Sequence, residues 1–117
     1  MQKFSNMEST RQKKISSLIQ KEMSIIFQRK SIDFMNKLIS VTIVRMSPDL
    51  GTAKIYLSIF PENNKEKAYK LIVGNSSNLR FELGNRIKNQ MRKIPEIQFF
   101  IDDSLNYADK IDELLKK

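Results

Sequence analysis

Histidine, cysteine and tryptophan are all missing from the 117 residues. Without imidazole the chain has neither the commonest general base nor the commonest neutral metal ligand. Its serine and threonine hydroxyls also lack the usual partner that turns them into nucleophiles. Without thiols there is no disulfide and no thiolate metal site. That pattern suits a reducing compartment, so the cytoplasm is the default expectation. Glycine and proline number three each, too few for a long flexible linker. Neither the P-loop spacing, nor the dinucleotide-binding glycine pattern, nor G-x-S-x-G occurs. No apolar run nears the roughly 20 residues that span a bilayer, and Met1 to Asn6 lacks the apolar stretch of a secretion signal. The only carboxylate cluster, Asp102-Asp103 with Glu96 and Asp109 around it, reads better as a strand-end turn and an acidic helix start than as a magnesium site. No enzymatic activity, cofactor or membrane association is expected.

What the chain has in excess is positive charge. Lys and Arg total 21 against 13 Asp and Glu, a net +8 with a pI near 9.8. The imbalance is uneven. Residues 1–93 hold 18 basic and 7 acidic side chains, a difference of +11, whereas residues 94–117 hold 3 and 6, a difference of −3. Such a field favours a polyanionic partner, either nucleic acid or an acidic membrane face, and of the two nucleic acid is the expectation. A mass of 13.7 kDa, with 40% hydrophobic and 29% charged residues, fits one soluble domain.

Thr10 is a candidate N-cap for a long helix over 11–30. Ile15, Leu18, Ile19, Met23 and Ile26 recur at helical spacing, and Lys13, Ser17, Gln20, Lys21, Ser24 and Gln28 fall opposite, with Lys14 at the edge. That polar side carries Lys and Gln but no Glu, which leans towards a phosphate-facing surface, although any amphipathic helix needs a solvated side. Residues 31–38 form a connection. Residues 39–46 alternate and are β-branched, so they read as a strand. Ser47-Pro48-Asp49-Leu50-Gly51 is a turn, with Gly51 expected to take positive φ. A second strand over 52–60 places Ala53, Ile55, Leu57 and Ile59 inward and pairs antiparallel with the first. Asn63 and Glu66 suggest a capped helix that stops near Gly74. The next helix turns Leu79, Leu83, Ile87 and Met91 inward and sets Phe81, Asn85, Lys88 and Arg92 outward at i, i+4, i+7, i+11. A strand over 97–101 and a short last helix with Ala108, Ile111, Leu114 and Leu115 follow. The expectation is an α+β domain, one three-stranded sheet covered by helices on one face. Residues 1–8 are expected to be a flexible extension and 9–117 the domain.

Two features carry recognition chemistry. In KH folds, a GXXG loop between consecutive helices clamps the backbone of single-stranded nucleic acid. Here that junction is Gly74-Asn75-Ser76-Ser77, with the first glycine in place and the second replaced by serine; a lone Gly74 reads equally as a helix C-cap. The outward series Phe81, Asn85, Lys88, Arg92 offers a ring for a base and cations for phosphates, or is an ordinary solvated helix face with one exposed Phe.

Several stretches resemble the ribosome-binding factor A family. They are residues 11–15, Val41 to Leu50 across strand and turn, residues 53–58, Leu79 to Gly84, and Ile94-Pro95-Glu96-Ile97-Gln98-Phe99-Phe100-Ile101-Asp102-Asp103-Ser104 continuing to Leu115. The resemblance implies a KH-like fold (type II) of αββααβ order. It also implies binding to the 16S ribosomal RNA of the immature 30S subunit near the decoding region, a role in late processing, no catalysis, and release by a GTPase of the same pathway. A monomer is expected. The family's Ala-x-Gly kink is Asn75-Ser76-Ser77 here, so that pattern is not kept. Candidate RNA-binding residues are Arg11, Lys13, Lys14, Lys21, Arg45, Asn75, Ser76, Ser77, Arg80, Phe81, Arg86, Lys88, Arg92 and Lys93. The alternatives are a general single-stranded RNA module and a basic module for an acidic protein partner.

Overall fold

Helix α1 spans Thr10–Arg29 and is capped by Ser9, not by Thr10 as the sequence suggests. The capping box decides between the two hydroxyls. Three residues after Ser9 stands Gln12, whose side chain can return a hydrogen bond, whereas three after Thr10 stands Lys13, which cannot accept one. Ser9 Oγ accepts from the Gln12 N–H at 3.0 Å, and Gln12 Oε1 accepts from the Ser9 N–H at 2.8 Å. The computed structural model describes residues 8–102. The final helix expected from the sequence, and the proposed extension apart from Glu8, lie outside them. After α1 come a 3₁₀ turn at Ser31–Phe34, strands β1 (Leu38–Met46) and β2 (Thr52–Phe60), helices α2 (Lys65–Gly74) and α3 (Ser76–Ile87), and strand β3 (Glu96–Ile101). This is the expected αββααβ order.

The sheet runs β1-β2-β3, with β1 and β2 antiparallel and β2 and β3 parallel. Parallel neighbours need a crossover, and α2 with α3 supplies it. The register of β1 against β2 shifts between Val41 and Ile43, a bulge at Thr42. In a strand of unbroken alternation, Ile39, Val41, Ile43 and Arg45 would share a face. The extra residue flips the phase, so Ile39, Val41, Val44 and Met46 are buried while Ile43 and Arg45 point outward. Thr42 Oγ1 lies 2.6 Å from Asp102 Oδ2.

Strand β1 is an edge of the sheet, and α1 lies along it. Gln12 Nε2 donates to the Met46 carbonyl at 3.0 Å, and two turns later Gln20 Nε2 donates to that of Val41 at 3.0 Å. Gln20 therefore serves the bulge and is no part of a phosphate-facing stripe. Isoleucine, methionine and phenylalanine side chains of α1 enter one core with Ala53, Ile55, Leu57 and Ile59 of β2, Ala68 and Ile72 of α2, and Leu79, Leu83 and Ile87 of α3. Phe27 sits edge-on to both Phe34 and Phe99. The helices thus share one face of the sheet.

Two local expectations are corrected. Asn63 does not cap α2; Asn64, with φ 61°, stands at the cap and makes no side-chain bond there. Asn63 is drawn instead to the Lys37 ammonium, which is buried and donates to the carbonyls of Pro61 (3.0 Å) and Asn63. A buried ammonium needs acceptors more than a helix end that water can reach. In the 47–51 turn, positive φ falls on Leu50 (61°) and not on Gly51. Asp49 Oδ1 and Ser47 Oγ hold the Gly51 N–H at 2.9 and 3.1 Å, and Ser47 Oγ takes the Thr52 N–H at 3.0 Å, so the hydrogen bonds place the left-handed residue one position earlier.

The Ser47 hydroxyl first, and the Gly51 N–H second, hold the exposed Asp49 carboxyl below its ordinary value. A lowered carboxyl contributes stability that is full above the unfolded-state value of about 3.9 and is lost as pH falls through the lower folded value. The stability difference between the native chain and Asp49→Asn is therefore expected to hold steady at neutral pH and to close on acidification below about pH 4. Urea unfolding across an acid series measures it, and a gap that widens in acid contradicts this account of the turn. Leu83 is fully buried and Phe81 is 68% exposed. Leu83→Ala is expected to cost about 2–5 kcal/mol and Phe81→Ala much less, as read from denaturant midpoints.

Candidate nucleic-acid interface

Helix α3 is shorter than its apolar pattern suggests. It ends at Ile87, and both Gln90 N–H and Met91 N–H turn back to the Ile87 carbonyl, at 2.9 and 3.1 Å. The chain must return so that Glu96 N–H can reach the Gly51 carbonyl at 2.9 Å and open β3. A helix continued to Lys93 would carry it about 9 Å further along the axis. Met91 still enters the core. Arg92 is thus not on the helix, yet the turn brings it back beside Lys88.

The result is a groove of about 600 Å³ lined by Ser77, Arg80, Phe81, Gly84, Asn85, Lys88, Arg92, Lys93 and Ile94. Its floor depends on Gly84, an otherwise costly residue inside a helix. A Cβ there would lie 3.2 Å from Ile94 Cγ1, so the missing side chain lets residues 92–95 pack close to α3. A glycine inside a helical pattern is the signal in the sequence that points to such close packing. Phe81 projects from one wall, and Lys88, Arg92 and Lys93 are exposed, with no ion pair or hydrogen bond among the described residues.

The other arginines near α3 are engaged. Arg80 donates through Nε to the Pro95 carbonyl at 2.8 Å and through Nη2 to that of Ile94 at 2.7 Å, tying the groove's far wall to the helix. Arg86 Nε lies 2.6 Å from Glu22 Oε1 on α1. Beside it Lys30 Nζ lies 2.8 Å from Glu82 Oε2, and that hydrogen bond holds the Lys30 ammonium above its ordinary value. Arg86 faces α1 rather than the groove.

At the α2–α3 junction Asn75 stands between the helices, with φ −104° and ψ 16°. Its side chain donates to the Leu71 carbonyl at 2.8 Å, and Ser76 Oγ donates to that of Val73 at 2.7 Å. Both therefore close the end of α2 and leave the first turn of α3 without a side-chain cap. Gly74 has no positive φ and lies in open space, so its special freedom is unused. Ser77 is exposed and lines one end of the groove. Arg11, Lys13, Lys14 and Lys21 are exposed along α1, outside the groove, and Arg45 lies on the opposite face of the sheet.

Residues 11–115 match the family model described as ribosome-binding factor A. The chain is 49% identical over 112 residues to ribosome-binding factor A of Cytophaga hutchinsonii, covering 95% of this chain and 84% of that one. It is 37% identical over 109 residues to that of Chlorobaculum tepidum, covering 92% and 90%. The fold is similar to the crystal structure of ribosome-binding factor A from Thermus thermophilus, with TM-score 0.64 and 21% identity over 77% of this chain and 94% of the other. A Thermus thermophilus ribosome-binding factor A model fitted into a cryo-EM map of its complex with the 30S subunit superposes with TM-score 0.62 at 21% identity, covering 75% and 91%.

The cations on and beside α3 thus divide into engaged and free ones, and stability should tell them apart. Arg86→Gln leaves the mostly buried Glu22 carboxylate without its partner and is expected to cost about 1–3 kcal/mol. Lys88→Gln and Arg92→Gln are expected to stay within about 0.5 kcal/mol of the native chain. A cycle of Glu22→Gln with Arg86→Gln should be non-additive. Additive losses would mean the pair contributes no coupling.

Proposed function

This chain belongs to the ribosome-binding factor A family, and from that premise we propose that it binds the immature 30S subunit through 16S ribosomal RNA and assists late maturation, without chemistry of its own. The observation that supports this reading is the groove along α3, where one exposed aromatic ring stands among three cations that form no ion pair among the described residues. Phosphates are drawn to Lys88, Arg92 and Lys93, and an unpaired base can lie against Phe81. The uncapped N–H groups at the start of α3 adjoin the same groove and offer a phosphate further donors. The cations of α1 extend the positive field and steer the approach. The protein acts as a cytoplasmic monomer, and a ribosome-assembly GTPase releases it from the finished subunit.

Sucrose-gradient sedimentation of a cell extract tests the partner: co-migration with free small subunits, and not with polysomes, is the expected outcome. A general single-stranded RNA module would spread across RNA-containing fractions. Within the groove, Lys88→Gln with Arg92→Gln is expected to weaken subunit binding by about tenfold or more and to flatten the salt dependence. Ser76→Ala with Ser77→Ala should do much less, because Ser76 is spent on the end of α2. Losses from the serine pair as large as those from the cations would move the principal contact to the helix junction.

A further inference from the structure

The helices occupy one face of the sheet, and no described element covers the other. The strand registers arrange the side chains there in rows. Arg45 of β1 is paired with Lys54 of β2, and Lys54 with Gln98 of β3. The next row is Ile43, Tyr56 and Phe100. The rings of Tyr56 and Phe100 are stacked, with centroids 5.2 Å apart and planes 25° apart. Ile43 is 37% exposed beside them. A shallow pocket of about 240 Å³ opens between Arg45, Lys54 and Tyr56, where the two rows meet.

The first row is electrostatically costly as it stands. Like charges directly opposite on antiparallel strands repel, and neither the Arg45 nor the Lys54 side chain has an ion pair or hydrogen bond among the described residues. The nearest acid on this face by register is Glu96, paired with Thr52, one row beyond Lys54, and it forms no ion pair with Lys54. Two cations held side by side with no ion-pair partner among the described residues make a seat for an anion. An apolar aromatic row, about 6.7 Å further along the strands, makes a seat for a planar apolar group. The polyanion that carries planar apolar groups at such spacing is single-stranded nucleic acid.

We infer that the open sheet face is a second RNA surface, separate from the α3 groove, with backbone phosphates at Arg45 and Lys54 and an unpaired base extending the Tyr56–Phe100 stack. The two surfaces lie on opposite sides of the sheet. One molecule can therefore hold two separated RNA segments at once, which is a means of setting the distance between strands of a folding RNA. An acidic peptide would satisfy the cations but leave the stacked rings without use.

The probe is a fluorescein-labelled oligouridine of about ten nucleotides, within the site size of single-strand binders, titrated with the full chain across a salt series. Arg45→Gln with Lys54→Gln is expected to lower affinity about tenfold and to reduce the slope of log affinity against log salt by about 1.4, two phosphate contacts at about 0.7 each. Removing the opposed cations should also leave the melting temperature unchanged or higher, so the loss cannot come from unfolding. Ultraviolet crosslinking of oligouridine to the native chain, mapped by mass spectrometry, needs no variant and should mark Tyr56 or Phe100 as well as Phe81. The groove variant Lys88→Gln with Arg92→Gln should leave the Tyr56 or Phe100 crosslink in place, which separates failure of this inference from failure of the groove reading. Crosslinks confined to Phe81, an unchanged salt slope, or equal displacement by oligoglutamate of the same charge would overturn the proposal.

Discussion

A two-residue period makes a strand's faces mutually exclusive, and in β1 that constraint is broken once, at Thr42. Everything on both sides of the sheet depends on the break. Before it Ile39 and Val41 reach the core, and after it Val44 and Met46 do, so the strand stays buried along its length under α1. The same shift turns Arg45 outward to stand beside Lys54 and Ile43 to stand beside Tyr56. The bulge is held from three directions. Gln20 takes the Val41 carbonyl from above, Thr42 Oγ1 meets the Asp102 carboxylate at the end of β3, and the antiparallel ladder resumes with β2. A slip by one residue would bury Arg45 and expose Val44, so the register is strongly specified.

The second constraint is the return of the chain from α3 to β3. Parallel pairing of β2 and β3 requires the crossover to end beside Gly51, and the helix must stop early for that to happen. Gly84 allows the returning segment to lie close, and Arg80 fastens it through the carbonyls of Ile94 and Pro95. The groove is therefore a product of topology. Its wall is built by the same turn that delivers β3 to the sheet, and Lys88, Arg92 and Lys93 gather there because the backbone reverses between them.

Charge in this chain does two kinds of work. Arg86 with Glu22 and Lys30 with Glu82 bridge α1 to α3, and there a cation is fixed by a partner in the fold. Lys88, Arg92, Arg45 and Lys54 lack such partners among the described residues, Lys93 forms no ion pair there and acts only at longer range on the exposed Asp49 carboxyl, and their mutual repulsion weighs against the compact state. Net charge alone does not separate the two groups. Only the unpaired ones remain available to a polyanion.

Much of this was legible in the residue pattern. Strand β2, the inward sets of α1 and α3 and the order of elements follow from apolar spacing, because a period of 3.6 or 2 is a local property of the chain. The aromatic and cationic series Phe81, Asn85, Lys88, Arg92 is also visible, although helical spacing puts all four on one helix face and Arg92 lies past the helix end. What sequence could not decide rests on contacts between distant residues. Whether Gln20 faces phosphate or the carbonyls of β1, whether Asn63 caps a helix or satisfies Lys37, and whether Arg80 and Arg86 are free or engaged depend on partners 14 to 64 residues away. The phase of β1 depends on the helix lying over it. Local periodicity determined which side chains are apolar and which elements they form; tertiary structure alone decided which polar groups are already satisfied, because a hydrogen-bond partner is chosen by distance in space and not along the chain.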